Sequence, residues 1–376
     1  MISAPLPFLH GRPETSERKK PAACERCEAV PAALPDRGAL YISPPLDHTQ
    51  TTLRNSLRKA GIAYSEPYSA IVQVELGEGV LQRLSTELGA ALSAAEMRDS
   101  KSLILDDGVT PTLFDLMRMQ PLSVLLGRVH GEWLLEMMHD ERLVSHFQPI
   151  VACSDPQTIF AYECLLRGRE EDGTLVYPDR LFGAALTADL LFQLDRNARI
   201  TAVRSAAHHN VQTNIFINFN PSSIYDPVYC LRTTLEAVRA CGMSPEQIVF
   251  EVVESSEVRD VDHLLNIMSF YRSRGFKIAL DDLGAGYSSL NLLTRLKPDF
   301  VKLDLQMIRD VDSDPYKAHI AAQILEMARK LGVRTIAEGV ETEAEWLWTR
   351  DTGADYVQGY YFARPASPPP AVRRAS

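Results

Sequence analysis

Apolar residues in the second half of this chain gather into short runs that are rich in β-branched and aromatic side chains. Runs of this length and composition are typical of buried strands. Helix-length stretches separate all of them except the first two, which are only six residues apart. The pattern predicts eight strands, at residues 145–152, 159–167, 214–220, 247–253, 276–282, 299–304, 334–339 and 356–362.

The connections between these runs decide how the strands are oriented. Six residues cannot hold a crossover helix, so we expect the first two strands to form an antiparallel hairpin. The later strands leave room for a helix between each pair, which requires parallel strands and right-handed crossovers. We therefore expect an α/β barrel, with helices at residues 195–208, 228–241, 261–274, 315–331 and 343–350.

Residues 39–120 follow a different pattern, in which strands and helices alternate in the order β-α-β-α-β. This order favours a small α+β domain of a regulatory kind. Residues 121–140 are expected to form a linker helix, which could transmit a signal or simply pack; we favour packing. The predicted elements of the first domain are strands at 40–43, 70–76 and 102–105 and helices at 51–60 and 79–97.

Both ends of the chain are predicted to be disordered. Residues 1–38 are rich in Pro, Ala and charge, and residues 366–376 are rich in Pro and Arg. Cys24 and Cys27 have the spacing of a zinc-binding pair, but a structural zinc site needs four ligands and no second pair follows. An ordinary exposed pair is the interpretation that we favour.

Composition narrows the classes of function. The 376-residue chain carries a net charge of −10, which argues against binding DNA or RNA, since phosphate neutralisation needs clustered Lys and Arg. No apolar run reaches the roughly 18 residues of a membrane span, and the N-terminus has no secretory signal pattern. Six cysteines in a chain of this length do not indicate a disulfide framework. We expect a soluble, cytoplasmic protein.

Acidic and amide residues stand at the ends of the predicted strands. In an α/β barrel the carboxyl ends of the strands converge on the active site. Many carboxylates brought together would repel one another, and hard divalent cations would keep them ionised. Oxygen-only ligands suit Mg²⁺ or Mn²⁺ better than zinc. The residues concerned are Glu163, Asn218, Glu251, Asp281, Asp282, Glu338 and Gln358.

Asp281 and Asp282 are adjacent, and neighbours on a strand normally point to opposite faces. Both can bind a metal only if the strand is already turning into its loop, and Gly284 and Gly286 permit such a turn. A helix N-cap or a tight turn is the alternative explanation for the pair. The other strand-end acids favour the metal site.

One cation, Lys302, lies among these acids. It can neutralise the cluster as a salt bridge, and it can also orient a nucleophilic water and stabilise developing negative charge. Glu254, three residues after Glu251, is expected to hold a loop.

These residues resemble the EAL family of bacterial cyclic-di-GMP phosphodiesterases over about residues 141–365. The resemblance rests on motifs in a fixed order. They are Gln148-Pro149-Ile150-Val151, Glu163-Cys164-Leu165-Leu166-Arg167, Asn218-Phe219-Asn220-Pro221, Glu251-Val252-Val253-Glu254, Asp281-Asp282-Leu283-Gly284-Ala285-Gly286, Val301-Lys302-Leu303-Asp304, Ala337-Glu338-Gly339-Val340-Glu341 and Gln358-Gly359-Tyr360.

The resemblance implies a modified (β/α)₈ TIM-like barrel whose first strand is antiparallel, and an enzyme that hydrolyses cyclic-di-GMP to pGpG with two Mg²⁺ or Mn²⁺ ions. Glu163, Asn218, Glu251 and Asp281 would bind one ion, and Asp281, Asp282 and Glu338 the other. Lys302 would orient the water, Glu338 would be a ligand or a general base, and Gln358 would hold the polar network. Gln148, Leu165 and Arg167 would contact the dinucleotide. A homodimer is also implied.

The chain departs from the family pattern at a few positions. Cys164 stands in place of the Ala that gives the family its name, and we expect little effect. Leu283 and Ala285 replace the more frequent Phe and Thr in the loop after Asp282, which bears on regulation more than on chemistry. The alternative function is a catalytically silent EAL domain that acts as a cyclic-di-GMP receptor or protein-interaction module. No expected metal ligand is missing, so we favour the enzyme.

Overall fold

The computed structural model describes residues 28–29, 31–253, 260–284 and 289–372, without the side chains of Val253 and Ser289. Its strands form two sheets, one within residues 38–121 and one within residues 143–357. Cys24, Cys27, Glu254 and Gly286 lie outside the described residues, as do residues 1–27 and 30 of the expected leader.

The first sheet has five antiparallel strands in the order β2-β3-β1-β4-β5. Its elements are β1 (Gly38–Ser43), α1 (Asp47–Lys59), β2 (Tyr64–Tyr68), β3 (Ile71–Leu76), α2 (Val80–Ala91), α3 (Ala94–Asp99), β4 (Lys101–Leu105), α4 (Leu113–Met117) and β5 (Gln120–Pro121).

Alternating apolar residues of the central strands build the core of this domain. Leu40 and Ile42 of β1 point to the same face as Val72 and Val74 of β3, and all four are fully buried. They pack against apolar residues of α1 and α2, such as Leu53. The small α+β region expected from the sequence is thus present.

Two features of this domain differ from the prediction. Strand β2 was not foreseen, because it is an edge strand with exposed side chains and contains Pro67, so it lacks an alternating pattern. The single helix expected over 79–97 is two helices. The first ends at Ala91, and Ser93 caps the second, with its side chain and that of Glu96 forming a reciprocal capping box.

The linker helix expected over residues 121–140 is also two helices, α5 (Leu122–His130) and α6 (Glu132–His139), which meet at Gly131. Leu125 and Leu126 of α5 belong to the core of the first domain. Leu134 and Met137 of α6 pack in a cluster with barrel residues. The bend gives each domain one anchored helix, so the favoured interpretation as packing helices fits these contacts.

The second sheet carries the barrel strands and one further short strand. The strands are β6 (Leu143–Ala152), β7 (Asp155–Arg169), β8 (Leu175–Val176), β9 (Asn214–Phe219), β10 (Ile248–Val253), β11 (Lys277–Leu283), β12 (Phe300–Leu303), β13 (Arg334–Ala337) and β14 (Tyr356–Val357). The helices are α7 (Pro178–Thr187), α8 (Leu191–His208), α9 (Pro227–Cys230), α10 (Arg232–Ala240), α11 (Val261–Arg272), α12 (Ser289–Leu296), α13 (Leu305–Ile308), α14 (Pro315–Leu331) and α15 (Glu343–Thr352).

Strand pairing closes eight of these strands into a barrel. β7, β9, β10, β11, β12, β13 and β14 are parallel, and β6 pairs antiparallel with both β7 and β14. The predicted hairpin and the barrel with an antiparallel first strand are confirmed. Gly242, Gly275 and Gly332 each follow a helix and have positive φ angles, between 68° and 93°.

Each barrel strand contributes one apolar side chain to a layer that fills the lower half of the barrel interior. The eight members pack together as one cluster, and all are at most 9% exposed. They are Ile150, Ala161, Phe216, Val249, Ala279, Phe300, Ile336 and Tyr356. We call this set the apolar layer. It fills the barrel interior at one level, so that a cleft can form only beyond it.

The first part of the predicted disordered tail is held against the barrel. Ala366 exchanges both backbone hydrogen bonds with Phe147, at 2.8 and 3.1 Å. The Tyr162 hydroxyl donates to the carbonyl of Pro370 at 3.1 Å. The prediction of disorder is therefore wrong for residues 366–372, because backbone pairing does not depend on the Pro-rich composition.

Within the described parts of the chain, no helix combines the length and the apolar character that a membrane span requires.

Candidate active site

A second ring of side chains lies two residues further along each barrel strand than the apolar layer. Because alternate residues of a strand share a face, these side chains also point into the barrel, at its carboxyl end. In the antiparallel β6 the same height is reached two residues earlier. The set, which we call the polar layer, is Gln148, Glu163, Asn218, Glu251, Asp281, Lys302, Glu338 and Gln358.

Glu163 is the acceptor of a hydrogen-bonded chain within this layer. Its Oε1 accepts from Asn218 Nδ2 at 3.1 Å, and its Oε2 accepts from Gln358 Nε2 at 2.6 Å. Gln358 Nε2 also donates to Gln148 Oε1 at 3.1 Å. Four strands are thereby tied together around one carboxylate, which fixes its orientation before any ligand binds.

Lys302 lies at the centre of the acids and is only 1% exposed. Its Nζ is 2.6 Å from Glu338 Oε1 and 2.8 Å from Glu251 Oε1. Asp281 Oδ1 and Glu163 Oε2 follow at 3.3 and 3.5 Å. One cation therefore faces four carboxylates, and the cluster keeps an excess of negative charge.

A bulge in β11 brings Asp281 and Asp282 to the same side. Leu280 pairs with Val301 but Leu283 pairs with Leu303, so three steps on β11 oppose two on β12. Asp282 has a φ of 54°, a left-handed conformation that is uncommon outside glycine. Carboxylate oxygens of Asp281, Asp282 and Glu338 lie within 4.8 Å of one another. The expected turn is made at Asp282 itself, with Gly284 (φ 109°) following.

The protonation equilibria follow from this crowding. Burial raises the pKa of Glu251 well above its ordinary value, and Lys302 does not offset it. Burial also raises the pKa of Glu338, with Asp281 and Glu163 adding to the effect. Burial and the charges of Asp281 and Asp304 raise the pKa of Asp282 to about 6.

Glu163 and Lys302 are held in their charged forms. Burial alone would raise the pKa of Glu163, but Lys302 and the hydrogen bonds from Gln358 and Asn218 bring it below its ordinary value. Burial would lower the pKa of Lys302, but the surrounding carboxylates raise it well above its ordinary value. Electrostatic perturbation of this size in a cleft is a mark of a functional site.

The residues present fit divalent cations. Both carboxylate oxygens of Glu251 are buried and make no hydrogen bond within the described chain, although Oε1 faces Lys302 at ion-pair distance. The other expected metal ligands are carboxylate oxygens and the side-chain amide oxygen of Asn218, which are groups that bind hard cations. Cations would lower the raised pKa values and satisfy the unbonded oxygens.

A cleft of about 520 Å³ opens onto one side of the polar layer. Glu163, Asn218 and Asp281 lie in its wall together with Asp282. The rest of the wall is largely apolar and suits a flat ring system. It includes Cys164, Leu165, Pro178, Phe182, Phe219 and Pro221.

Of the three residues expected to contact a dinucleotide, Leu165 lies in the wall of this cleft. Gln148 does not belong to the wall and instead joins the hydrogen-bonded chain through Gln358. Arg167 is also outside the wall; its guanidinium donates to the Leu166 carbonyl at 2.7 Å and lies 4.9 Å from the ring centre of Tyr177. Their contact with a nucleotide stays a prediction.

Several residues of the cleft wall were not expected from the sequence, among them Pro178, Phe182 and Asp195. The first two are on α7, which was not foreseen. Asp195 was taken as the start of a helix, but α8 begins at Leu191, which places Asp195 inside the helix. The available signal was its spacing of four residues from Arg199.

Comparison with known proteins agrees with this geometry. The family model for the EAL domain matches residues 132–365. The chain is 31% identical over 243 residues to the cyclic di-GMP phosphodiesterase NbdA of Pseudomonas aeruginosa, an alignment that covers 62% of this chain and 30% of NbdA. The chain thus spans less than a third of the length of that relative.

Solved structures of EAL proteins are also similar, and they include the following two. A standalone EAL protein from Vibrio cholerae in its c-di-GMP-bound form is 37% identical with a TM-score of 0.57, covering 61% of this chain and 95% of that one. The BlrP1 manganese and cy-diGMP complex of Klebsiella pneumoniae is 26% identical with a TM-score of 0.55, covering 87% of this chain and 96% of that one.

Proposed function

Because the chain belongs to the EAL domain family, we propose that it is a metal-dependent phosphodiesterase that hydrolyses cyclic-di-GMP to linear pGpG. The observation that carries the proposal is the complete polar layer. Its four acids surround the cation Lys302, and Glu163, Asn218 and Asp281 line the cleft together with the neighbouring Asp282. A domain that had lost catalysis would be expected to have lost some of these groups.

The known proteins support the same substrate and cofactor. NbdA is named as a cyclic di-GMP phosphodiesterase, and the Vibrio cholerae protein was solved with c-di-GMP bound. The BlrP1 complex contains manganese together with the dinucleotide. We extend the substrate and the divalent cation to this chain because its donor set is made of oxygens throughout.

Two cations would be held by two overlapping sets of ligands from the polar layer and the neighbouring Asp282. Glu163, Asn218, Glu251 and Asp281 would hold the first, and Asp281, Asp282 and Glu338 the second. Bound there, Mg²⁺ or Mn²⁺ would clamp the scissile phosphate and lower the pKa of a water for in-line attack. Asp281 belongs to both sets, and the bulge in β11 lets Asp282 join the second by turning it to the same side as Asp281.

The chain's own residues supply the rest of the chemistry. Lys302 Nζ, which lies next to Glu338 Oε1, would donate to the attacking water and stabilise charge on the phosphate oxygens. Glu338 is either a ligand or the group that takes the proton from that water. Gln358 keeps Glu163 oriented through the 2.6 Å hydrogen bond. Leu165 and the apolar wall would exclude water from one face of a guanine base.

The test is turnover by the purified full chain. With Mg²⁺ or Mn²⁺ we expect conversion of cyclic-di-GMP to pGpG, separated by chromatography, and we expect a chelator to stop it. Nucleotide binding without pGpG under every metal condition would overturn the enzyme and leave the alternative, a silent EAL domain that acts as a receptor or interaction module. The homodimer and the cytoplasmic location stay predictions.

A further inference from the structure

A buried ion pair lies at the wall of the cleft, to which its acidic member Asp195 belongs. Asp195 and Arg199 stand one turn apart on α8, and their side chains are 3% and 1% exposed. Arg199 donates from Nη1 to Asp195 Oδ2. Its Nε donates to Thr234 Oγ1 of α10 at 3.3 Å, which anchors the guanidinium from the opposite side.

The carboxylate of Asp195 holds the loop that follows β9. Its Oδ1 accepts from the backbone N–H of Asn220 at 3.1 Å. Its Oδ2 lies 2.6 Å from Ser223 Oγ, which is also 2.7 Å from the carbonyl of Asn220. Both ends of the short 3₁₀ turn Pro221–Ser223 are thereby attached to one side chain of α8.

This loop is part of the site. Asn218, which is hydrogen-bonded to Glu163, stands two residues before Asn220. Asn220 and Pro221 lie in the cleft wall, and so does Asp195. The position of the loop therefore sets both the direction of an oxygen ligand and the width of the cleft.

A buried ion pair contributes little net free energy to the attachment of a loop, because desolvation of the two charges offsets much of their attraction. Apolar residues of the same size would stabilise the fold about as well. A carboxylate, however, fixes a backbone N–H and a hydroxyl with charge-assisted hydrogen bonds that an apolar contact cannot replace.

We propose that Asp195 is a positioning residue that fixes the Asn218–Pro221 segment for metal and dinucleotide binding. The inference rests on the proposed function and deepens it. Asp195 acts through the loop and its oxygens are already engaged by Asn220, Ser223 and Arg199.

The test compares two Asp→Asn substitutions in the full chain. Asp195→Asn keeps the size of the side chain but removes its charge, which weakens the hydrogen bonds to Asn220 and Ser223. Asp355→Asn is the matched control, because Asp355 Oδ2 likewise accepts a backbone N–H and a hydroxyl, both from Thr335, at 2.8 and 3.0 Å. Asp355 directly precedes β14, so it lies at the other end of the barrel from the cleft.

We expect Asp195→Asn to weaken Mn²⁺ binding and to raise the KM for cyclic-di-GMP, each by about 10-fold, as loss of a group that orients a ligand does. Asp355→Asn should lower the melting temperature and leave both unchanged. If the two variants change melting temperature alike and neither changes Mn²⁺ affinity or KM, the positioning role is wrong.

Two further arms keep the test decisive. If Asp195→Asn does not fold, Ser223→Ala removes one attachment of the loop and leaves the ion pair, and it should shift Mn²⁺ affinity in the same direction by a smaller factor. An unchanged affinity in that variant would overturn the proposal. Absence of turnover by the wild-type chain would contradict the proposed function instead, and Mn²⁺ binding would still test Asp195.

Discussion

The two interior layers of the barrel are built by the same eight strands and differ by only two residues along each strand. The apolar layer, from Ile150 to Tyr356, packs as one cluster. The polar layer places five side chains of the acidic or basic kind in the same enclosed space, and Lys302 and Glu251 are at most 1% exposed. The apolar layer stabilises the fold, whereas the polar layer destabilises it by burying charge.

The kind of polar side chain that is buried indicates which region carries out a function. The buried polar side chains in the described part of the first domain are hydroxyls and one amide: Thr49, Gln50, Ser56, Ser85, Ser100 and Ser102. Burying charge costs several kcal/mol per ion before compensation. A group of acids retained around one lysine therefore points to a role that packing alone does not explain.

The largest effect is expected from Glu163→Ala in the polar layer. It removes the carboxylate that Asn218 and Gln358 orient, so turnover should be abolished, with a loss of at least about 100-fold. Cyclic-di-GMP hydrolysis at saturating Mn²⁺ measures it. Turnover equal to the wild type at the same metal concentration would show that Glu163 is not a ligand.

Lys302→Met should be the most destabilising change in the polar layer. It leaves four crowded carboxylates without their cation, and breaking a buried ion pair costs about 3–5 kcal/mol. Urea denaturation of metal-free protein at pH 8 measures the loss, and added Mg²⁺ should recover part of it. Unchanged stability without metal would mean that the acids are already protonated.

Phe216→Ala tests the apolar layer and should give the opposite pattern. Phe216 is fully buried and is the register partner of Glu163 on the adjacent strand. Its truncation should cost about 3–5 kcal/mol of unfolding free energy. Turnover per folded molecule should stay within about threefold of the wild type, since the polar layer is untouched. A loss as large as that of Glu163→Ala would erase the distinction between the layers.

The pH dependence of folding stability should be a smaller effect than these substitutions. It should come from the buried acids and not from the apolar layer. The pKa of Asp282 is raised to about 6 in the folded protein from 3.8, so a proton stabilises the fold at low pH. That contribution is complete below about pH 4 and is lost as the pH rises through about 6. The raised pKa values of Glu251 and Glu338 act with the same sign.

Metal-free protein should therefore melt at a lower temperature at pH 8 than at pH 5, and added Mn²⁺ should close the gap because cations replace the protons. Asp282→Asn should reduce the dependence. Melting curves from pH 5 to pH 8, with and without Mn²⁺, measure it. A metal-free melting temperature that rises over this range would contradict the assigned pKa shifts.

Much of this could be predicted from the sequence because strand periodicity is local. The spacing of two between Phe216 and Asn218, or between Val249 and Glu251, puts both residues on one face. Strand ends converge in a barrel, so the acids could be grouped without knowing any distance. The short loop between β6 and β7 predicted the hairpin in the same way.

The rest depended on tertiary contacts that no local pattern records. The bulge that turns Asp282 inward is set by how β11 pairs with β12. The break at Gly131 follows from two separate cores that each anchor one helix. The role of Asp195 depends on a loop that is 25 residues away in sequence.

We propose that the polar layer, together with Asp282, binds two divalent cations. This binding is tested most directly by titrating metal-free full chain with Mn²⁺ at pH 8 and counting free ions by electron paramagnetic resonance. The account predicts two bound ions per wild-type chain, two for Asp355→Asn, and loss of both sites in Asp281→Asn, because Asp281 is shared. No bound ion in the wild-type chain, or binding that Asp281→Asn leaves unchanged, would contradict it.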